Sequence, residues 1–424
     1  MAGPVDKAID AIWRIESAKI IASLTRRVRD VGLAEELAQD ALVAALESWP
    51  AAGIPDNPGA WLMATAKNRV IDHFRHRDMH AEKEGSLTWE IETQLRDAQP
   101  DVEAVLDDPV RDDLLRLIFI ACHPVLTTEA RAALTLRLMG GLTTDEIARA
   151  FLVAEPAIAQ RIVRAKRALT EANVPFEVPR GAEMAARLGS VLEVIYLIFN
   201  EGYSATSGDD WMRPALCEEA LRLGRILAGL APDEPEVHGL VALMEIQASR
   251  ARARTGPKGA AVLLLDQNRA LWDQLLIRRG LAALDRVEQL GGAHGPYALQ
   301  GAIAACHARA RTAEETDWAR IAALYADLAQ ITRSPVVELN RAVAVGMAQG
   351  PAAGLEIADA LRATGALEGY HLLSSVRGDL LAKLGRHAEA RAEFERSAAL
   401  TRNAREREVM SARALESARA ADGP

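Results

Sequence analysis

Apolar residues recur every three or four positions from about Val5 to the end of the chain, and no stretch alternates β-branched with polar residues over a strand's length. That rhythm predicts an all-α fold. It pauses in a few places. Residues 79–108 are polar and acidic and contain Gly85, Pro100 and Asp107-Asp108, so they read as a linker between a first helical block, 1–78, and a second, 109–174. Val174-Pro175-Phe176-Glu177-Val178-Pro179 marks the next boundary. Beyond it lies a helical extension, divided into 175–314 and 315–424, with interruptions expected at 200–213, 231–236, 254–259 and 291–295.

Two predicted helices carry a pattern beyond amphipathicity. Pro58-Gly59 offers a start for a helix over 61–77. Wound at the helical period, Leu62, Met63, Ala66, Val70 and Phe74 fall on one face, and Thr65, Asn68, Arg69, Asp72, Arg75 and His76 on the other. Amide, guanidinium and hydroxyl groups on one rigid face suit phosphates and base edges. Trp61 opens the polar face, where an indole can stack on an exposed base. The second pattern starts at Thr143 and Glu146, spaced as a capping box. A turn at 152–155 follows, and Pro156 stands at a first helical position. In the helix that follows, Ile158, Ile162, Ala165 and Leu169 form a stripe to be buried, with Ala157, Gln160, Arg161, Arg164 and Arg167 turned outward. This is a helix-turn-helix whose second helix can enter a major groove, its Arg and Gln matching guanine and adenine edges.

Half of the residues are hydrophobic and only 4% aromatic, with Ala, Leu and Arg throughout, which favours helices. The formal net charge of −9 argues against a protein that coats nucleic acid unaided. DNA affinity must come from local basic faces or from a partner. No apolar run reaches the roughly 18 residues of a membrane span, and the N-terminus lacks the basic start and cleavage site of a secretory signal. A cytoplasmic protein without membrane contact is expected. Cys122, Cys217 and Cys306 form no CxxC pair, so neither a disulfide framework nor a structural zinc site is expected. Cys122-His123 is half of a metal site with no second pair, and reads as a buried thiol. Residues 200–210 bring Glu201, Tyr203, Ser204, Ser207, Asp209 and Asp210 into a glycine-containing loop. They offer no nucleophile–base pair, so no enzyme activity and no cofactor are expected. His294, Cys306 and His307 read as packing or surface residues.

The order of these elements resembles the extracytoplasmic-function (ECF) sigma factors. Ala34-Glu35-Glu36-Leu37-Ala38-Gln39-Asp40 is similar to the family's core-polymerase-binding helix. Ala60-Trp61-Leu62, then Lys67-Asn68-Arg69, Asp72 and Arg75, is similar to the helix facing the −10 element. Glu146-Ile147-Ala148 with Gln160-Arg161 and Arg164-Ala165-Lys166 is similar to the −35 reader. The resemblance implies core RNA polymerase and promoter DNA as partners. Polymerase contacts fall on Glu35, Glu36, Gln39 and Asp40, and −10 contacts on Trp61, Lys67, Asn68, Arg69, Asp72 and Arg75, the loop 50–59 also taking unstacked bases. The −35 contacts fall on Pro156, Ala157, Gln160, Arg161, Arg164 and Arg167, although Pro156 and Ala157 stand where the family commonly has glycine and threonine.

The long extension resembles a subgroup with a helical, tetratricopeptide-like C-terminal domain, as do Ile118-Phe119-Ile120-Ala121-Cys122-His123-Pro124 and Phe199-Asn200-Glu201-Gly202-Tyr203-Ser204. Leu384-Gly385-Arg386-His387-Ala388-Glu389-Ala390, followed by Phe394, Ser397 and Leu400, is similar to the second half of such a repeat, and Gly350-Pro351-Ala352-Ala353-Gly354 lies about one repeat earlier. The extension is expected to regulate through an intramolecular contact or a protein partner. The competing reading is a stand-alone helix-turn-helix regulator with a repeat-type sensor, from which 34–40 and 61–77 discriminate. A pure repeat scaffold leaves the basic helix unexplained.

Overall fold

The computed structural model of the chain describes residues 4–81, 108–151, 153–179, 182–204, 212–256 and 262–421. These residues hold eighteen α-helices and no β-strand. The chain divides into two compact units, Met1–Ile195 and Tyr196–Pro424. Apart from its ends, which are helical, the expected linker 79–108 lies outside the described residues.

In the first unit, helices α1 (Pro4–Val28), α2 (Val31–Ala52) and α3 (Pro58–Ala81) pack on one another. Ile20, Leu24, Ala38, Trp49, Leu62 and Ala66 are buried there. The Asp30 carboxylate accepts the Leu33 N–H at 2.8 Å, and Asn57 Oδ1 accepts the Ala60 N–H at 3.0 Å, so α2 and α3 both start with a side-chain cap. The expected loop 50–59 is shorter than the sequence suggested. Pro50 remains helical and the chain leaves α2 at Gly53, whose φ of 87° favours glycine.

Helices α4 (Asp108–Ala121), α5 (Thr128–Leu138), α6 (Thr144–Phe151) and α7 (Glu155–Glu171) follow. The expected capping box forms: Glu146 Oε2 accepts the Thr143 N–H at 2.8 Å and Thr143 Oγ1 accepts the Glu146 N–H at 3.2 Å. Ile147 and Ala148 of α6 and the stripe Ile158, Ile162, Ala165 and Leu169 of α7 are buried. The motif 118–124 is packing: Phe119 and Cys122 are buried, and burial pushes the Cys122 thiol up to about 11.

Helix α8 (Ala182–Tyr203) departs from the sequence boundary at 174. Arg187 donates to the Phe119 carbonyl at 2.8 Å, Ser190 donates to the Cys122 carbonyl at 2.6 Å, and Arg131 pairs with Glu193 at 3.1 Å. Residues up to Ile195 therefore belong to the first unit. The helix also continues to Tyr203, past the expected break at 200.

The second unit is a succession of helices: α9 (Pro214–Leu230), α10 (Pro235–Ala248), α11 (Gln274–Gln289), α12 (Pro296–Arg309), α13 (Trp318–Thr332), α14 (Pro335–Gln349), α15 (Pro351–Thr364), α16 (His371–Lys383), α17 (His387–Leu400) and α18 (Ala404–Ala421). Each packs on the next. Small residues set the close crossings. A Cβ on Gly354 would stand 2.6 Å from the Ala342 carbonyl, and one on Gly378 would stand 2.8 Å from the Phe394 ring. Ala390, Phe394 and Ser397 are buried in these crossings, while Leu400 is exposed. The interruption expected at 254–259 is much wider. No α-helix occurs among the described residues between Ser249 and Asp273; three 3-10 turns stand in its place.

Candidate nucleic-acid interface

On α3 the division into faces is as the period requires. Leu62, Ala66 and Val70 are buried, whereas Asn68, Arg69, Asp72 and Arg75 are exposed along the opposite side. The His76 side chain lies outside the described residues. Trp61 departs from the expectation of a free stacking surface. It is half-buried, its ring meeting Trp49 edge-on with centroids 5.3 Å apart. Lys67 is also half-buried, and burial together with Arg27 and Arg26 lowers its pKa. Three cations from α1 and α3 thus stand together. Their positions are some forty residues apart, so periodicity along α3 alone does not reveal Arg26 and Arg27.

On α7, Pro156, Ala157, Gln160, Arg164 and Arg167 are exposed and Arg161 is half-buried. Pro156 occupies the first turn, where its missing N–H costs no helical hydrogen bond. Pro156 and Ala157 offer no side-chain donor, whereas Gln160, Arg161 and Arg164 do. Arg167 donates to Glu171 at 2.6 Å on an open surface, a pair of the kind that contributes little and exchanges easily.

On α2 the four acidic and polar residues separate. Glu36 and Asp40 are exposed and Gln39 is half-buried. Glu35 differs from them: its relative exposure is 4%, so it is not on an open face in this arrangement. Its carboxylate accepts from Arg137 Nε at 2.6 Å, pairs with Lys166 Nζ at 2.5 Å, and accepts from Gln39 at 3.1 Å. The reason is charge: a carboxylate in that position bridges one cation from α5 and one from α7. Nearby, Thr170 donates to Asp30 at 3.1 Å, Arg14 pairs with Glu146, and Gly141 at a φ of 64° lies against Arg14 and Ser17. The first unit therefore packs α1 and α2 directly on α5 to α7.

Comparison with known proteins accords with this arrangement. Residues 16–79 match the model of sigma-70 region 2 and residues 116–169 that of sigma-70 region 4. Residues 187–288 match a family of unknown function. An uncharacterized protein of Rhizobium meliloti is 45% identical over 388 residues, covering 91% of this chain and 90% of that protein. The probable ECF RNA polymerase sigma factor SigI of Mycobacterium tuberculosis is 26% identical over 172 residues, 40% of this chain and 57% of that protein. The ECF RNA polymerase sigma factor SigK of Mycolicibacterium vanbaalenii is 29% identical over 146 residues, 34% of this chain and 69% of that protein. No solved structure matches the chain. Region 2 ahead of region 4 in one compact unit, with further helices behind them, identifies the chain as a member of the ECF sigma factors that carries an additional C-terminal region.

Proposed function

We propose that the chain binds core RNA polymerase through α2, positions it on the −35 duplex through α7, and captures unstacked −10 bases with α3. The observation that carries this reading is the side of α7 with exposed Gln160 and Arg164 and half-buried Arg161, behind the capped α6, in one unit with the α3 side that exposes Asn68, Arg69, Asp72 and Arg75. Base capture offsets the cost of melting, so binding energy is used where strands separate. Promoter affinity shared with polymerase accommodates a net charge of −9. The protein acts in the cytoplasm, where its polymerase is.

Glu36 and Asp40 are the direct polymerase contacts in this reading, with Gln39 beside them. Glu35 becomes available only when its pairs with Arg137 and Lys166 open, so polymerase binding and separation of α2 from α7 are linked. Residues beyond the first unit regulate the factor, through contact with its own DNA-binding elements or with polymerase, using tetratricopeptide-like helix pairs. Co-purification tests the docking face. Reversing charge at Glu36 and Asp40 together abolishes capture of core polymerase while the helical circular-dichroism signal stays intact. Undiminished capture by the folded double variant removes the assignment.

A further inference from the structure

The second unit holds a group of cations that no sigma-factor role uses. Arg250 is 7% exposed, yet its guanidinium carbon stands 5.8 Å from the ring centres of both Tyr203 and Trp272. That distance is near the outer limit of a cation–π contact and replaces no hydrogen bond. Arg254, 6% exposed, stacks at 3.7 Å on Tyr203 and donates to the Tyr203 carbonyl. Arg269, half-buried, lies 5.0 Å from the Trp272 ring centre; it donates to the His307 and Ala310 carbonyls at 2.8 and 2.9 Å and to Thr316 Oγ1 at 2.9 Å, which leaves only its Nε unpartnered. Four nitrogen atoms of this group are buried without a hydrogen-bond partner: Arg250 Nε, Arg269 Nε, Trp272 Nε1 and His307 Nδ1.

Among the described residues, Arg250 forms no ion pair, whereas Arg269 has Glu314 and Glu315 near enough to offset part of the effect of its burial. Burial, then Arg250 and Arg269, bring the His307 pKa down to about 3, so this imidazole is neutral at physiological pH and adds a polar group without adding charge. Arg250 is thus a buried guanidinium without a counter-charge, which is costly, and the unpartnered N–H groups of Arg250, Arg269 and Trp272 call for an acceptor. Water can accept the hydrogen bonds but brings no charge. A small oxyanion brings both, and a guanidinium fork matches phosphate oxygens geometrically.

We infer that Arg250, Arg269, Trp272 and His307, with Arg254 adjoining, form a binding site for a small phosphate-type oxyanion. The site lies outside both sigma regions. Apart from His307, its residues fall in the stretch 187–288 that matches the family of unknown function. It gives the additional region a ligand and a route for a chemical signal, and it stands independently of the polymerase reading.

The experiment uses the full chain, with inorganic phosphate and pyrophosphate as probes and sodium chloride at matched ionic strength as control. Thermal denaturation and tryptophan fluorescence are read together. The wild type gains melting temperature with phosphate or pyrophosphate beyond the chloride control, with a saturable fluorescence change. Arg250→Met removes the fork and weakens binding by about 10-fold or more. In chloride alone it leaves the melting temperature equal or higher, because an uncompensated charge has gone. Trp272→Phe keeps an aromatic face for the cations, loses Nε1 and also weakens binding. Identical behaviour in phosphate and chloride overturns the inference. So does a marked loss of stability in Arg250→Met with phosphate binding retained, which makes Arg250 a packing residue. Stabilisation by citrate but not by either phosphate assigns the site to carboxylates and overturns the ligand class.

Discussion

Replacing Glu35 by Gln tests how the first unit is held together. The substitution conserves shape and leaves an oxygen that can accept from one of the two cations. The other cation loses its partner. Removing one member of a buried pair costs several kcal/mol, but Arg137 and Lys166 retain side-chain exposures of 19% and 20% and can turn partly to water. The expected cost to the contact between α2 and α7 is therefore about 1–3 kcal/mol. If that contact opens locally, amides of 31–52 and 155–171 exchange with solvent roughly 5- to 150-fold faster. Hydrogen exchange followed by mass spectrometry on the full chain reads this segment by segment. Lys166→Met gives the companion measurement, since the cost of the pair of substitutions falls short of the sum by about 0.5–3 kcal/mol if they share one interaction. Unchanged exchange in Glu35→Gln, or strict additivity with Lys166→Met, refutes the idea that this carboxylate ties α2 to α7.

The other predictions address readout, boundaries and pH. Arg161→Ala or Arg164→Ala weakens −35 binding by about 1–3 kcal/mol if the contact is bidentate to a base, whereas Asn68→Ala or Arg69→Ala impairs opening. Pre-melted templates rescue the α3 variants and not the α7 variants; the reverse pattern contradicts the division of labour. A chain ending at Ile195 is more stable to urea than one ending at Ala172, because only the longer keeps the Arg187 and Ser190 bonds to the Phe119 and Cys122 carbonyls. Either truncation changes promoter-dependent transcription with purified polymerase relative to the full chain; equal activity of folded proteins sinks the regulatory role. His307, depressed by burial and by Arg250 and Arg269, favours the folded state fully above about pH 6.5. That contribution is lost as pH falls toward about 3, and a His307→Gln variant shows a flatter stability profile over this window.

What could be seen from sequence was local. The capping box joins residues three apart, and the buried stripe of α7 repeats within a single helix, so the helix-turn-helix was fully legible. The polar side of α3 was legible for the same reason. Glu35 was not, because its partners stand 102 and 131 residues further along the chain, and periodicity reports which positions are apolar but not which charge will face them. The partial burial of Trp61 was not legible because the ring against it, Trp49, belongs to another helix. The stretch 249–273 has the Ala, Leu and Arg content of a helix. Its described residues form three short 3-10 turns, the last capped by Asn268 and anchored by Arg269 bonding to carbonyls nearly forty residues away or more, a constraint that composition does not carry. The boundary at 174–179 was visible as an interruption. The return of α8 onto Phe119 and Cys122 was not, since Arg187 and Ser190 look like ordinary helix-surface residues in sequence.

Reconstituting the full chain with core RNA polymerase and sequencing transcript starts on genomic DNA tests the central claim most directly. The expected starts depend on the chain, share two elements spaced as −35 and −10, and disappear with the Glu36 and Asp40 reversal. Polymerase that starts at the same positions with and without the folded chain contradicts that claim.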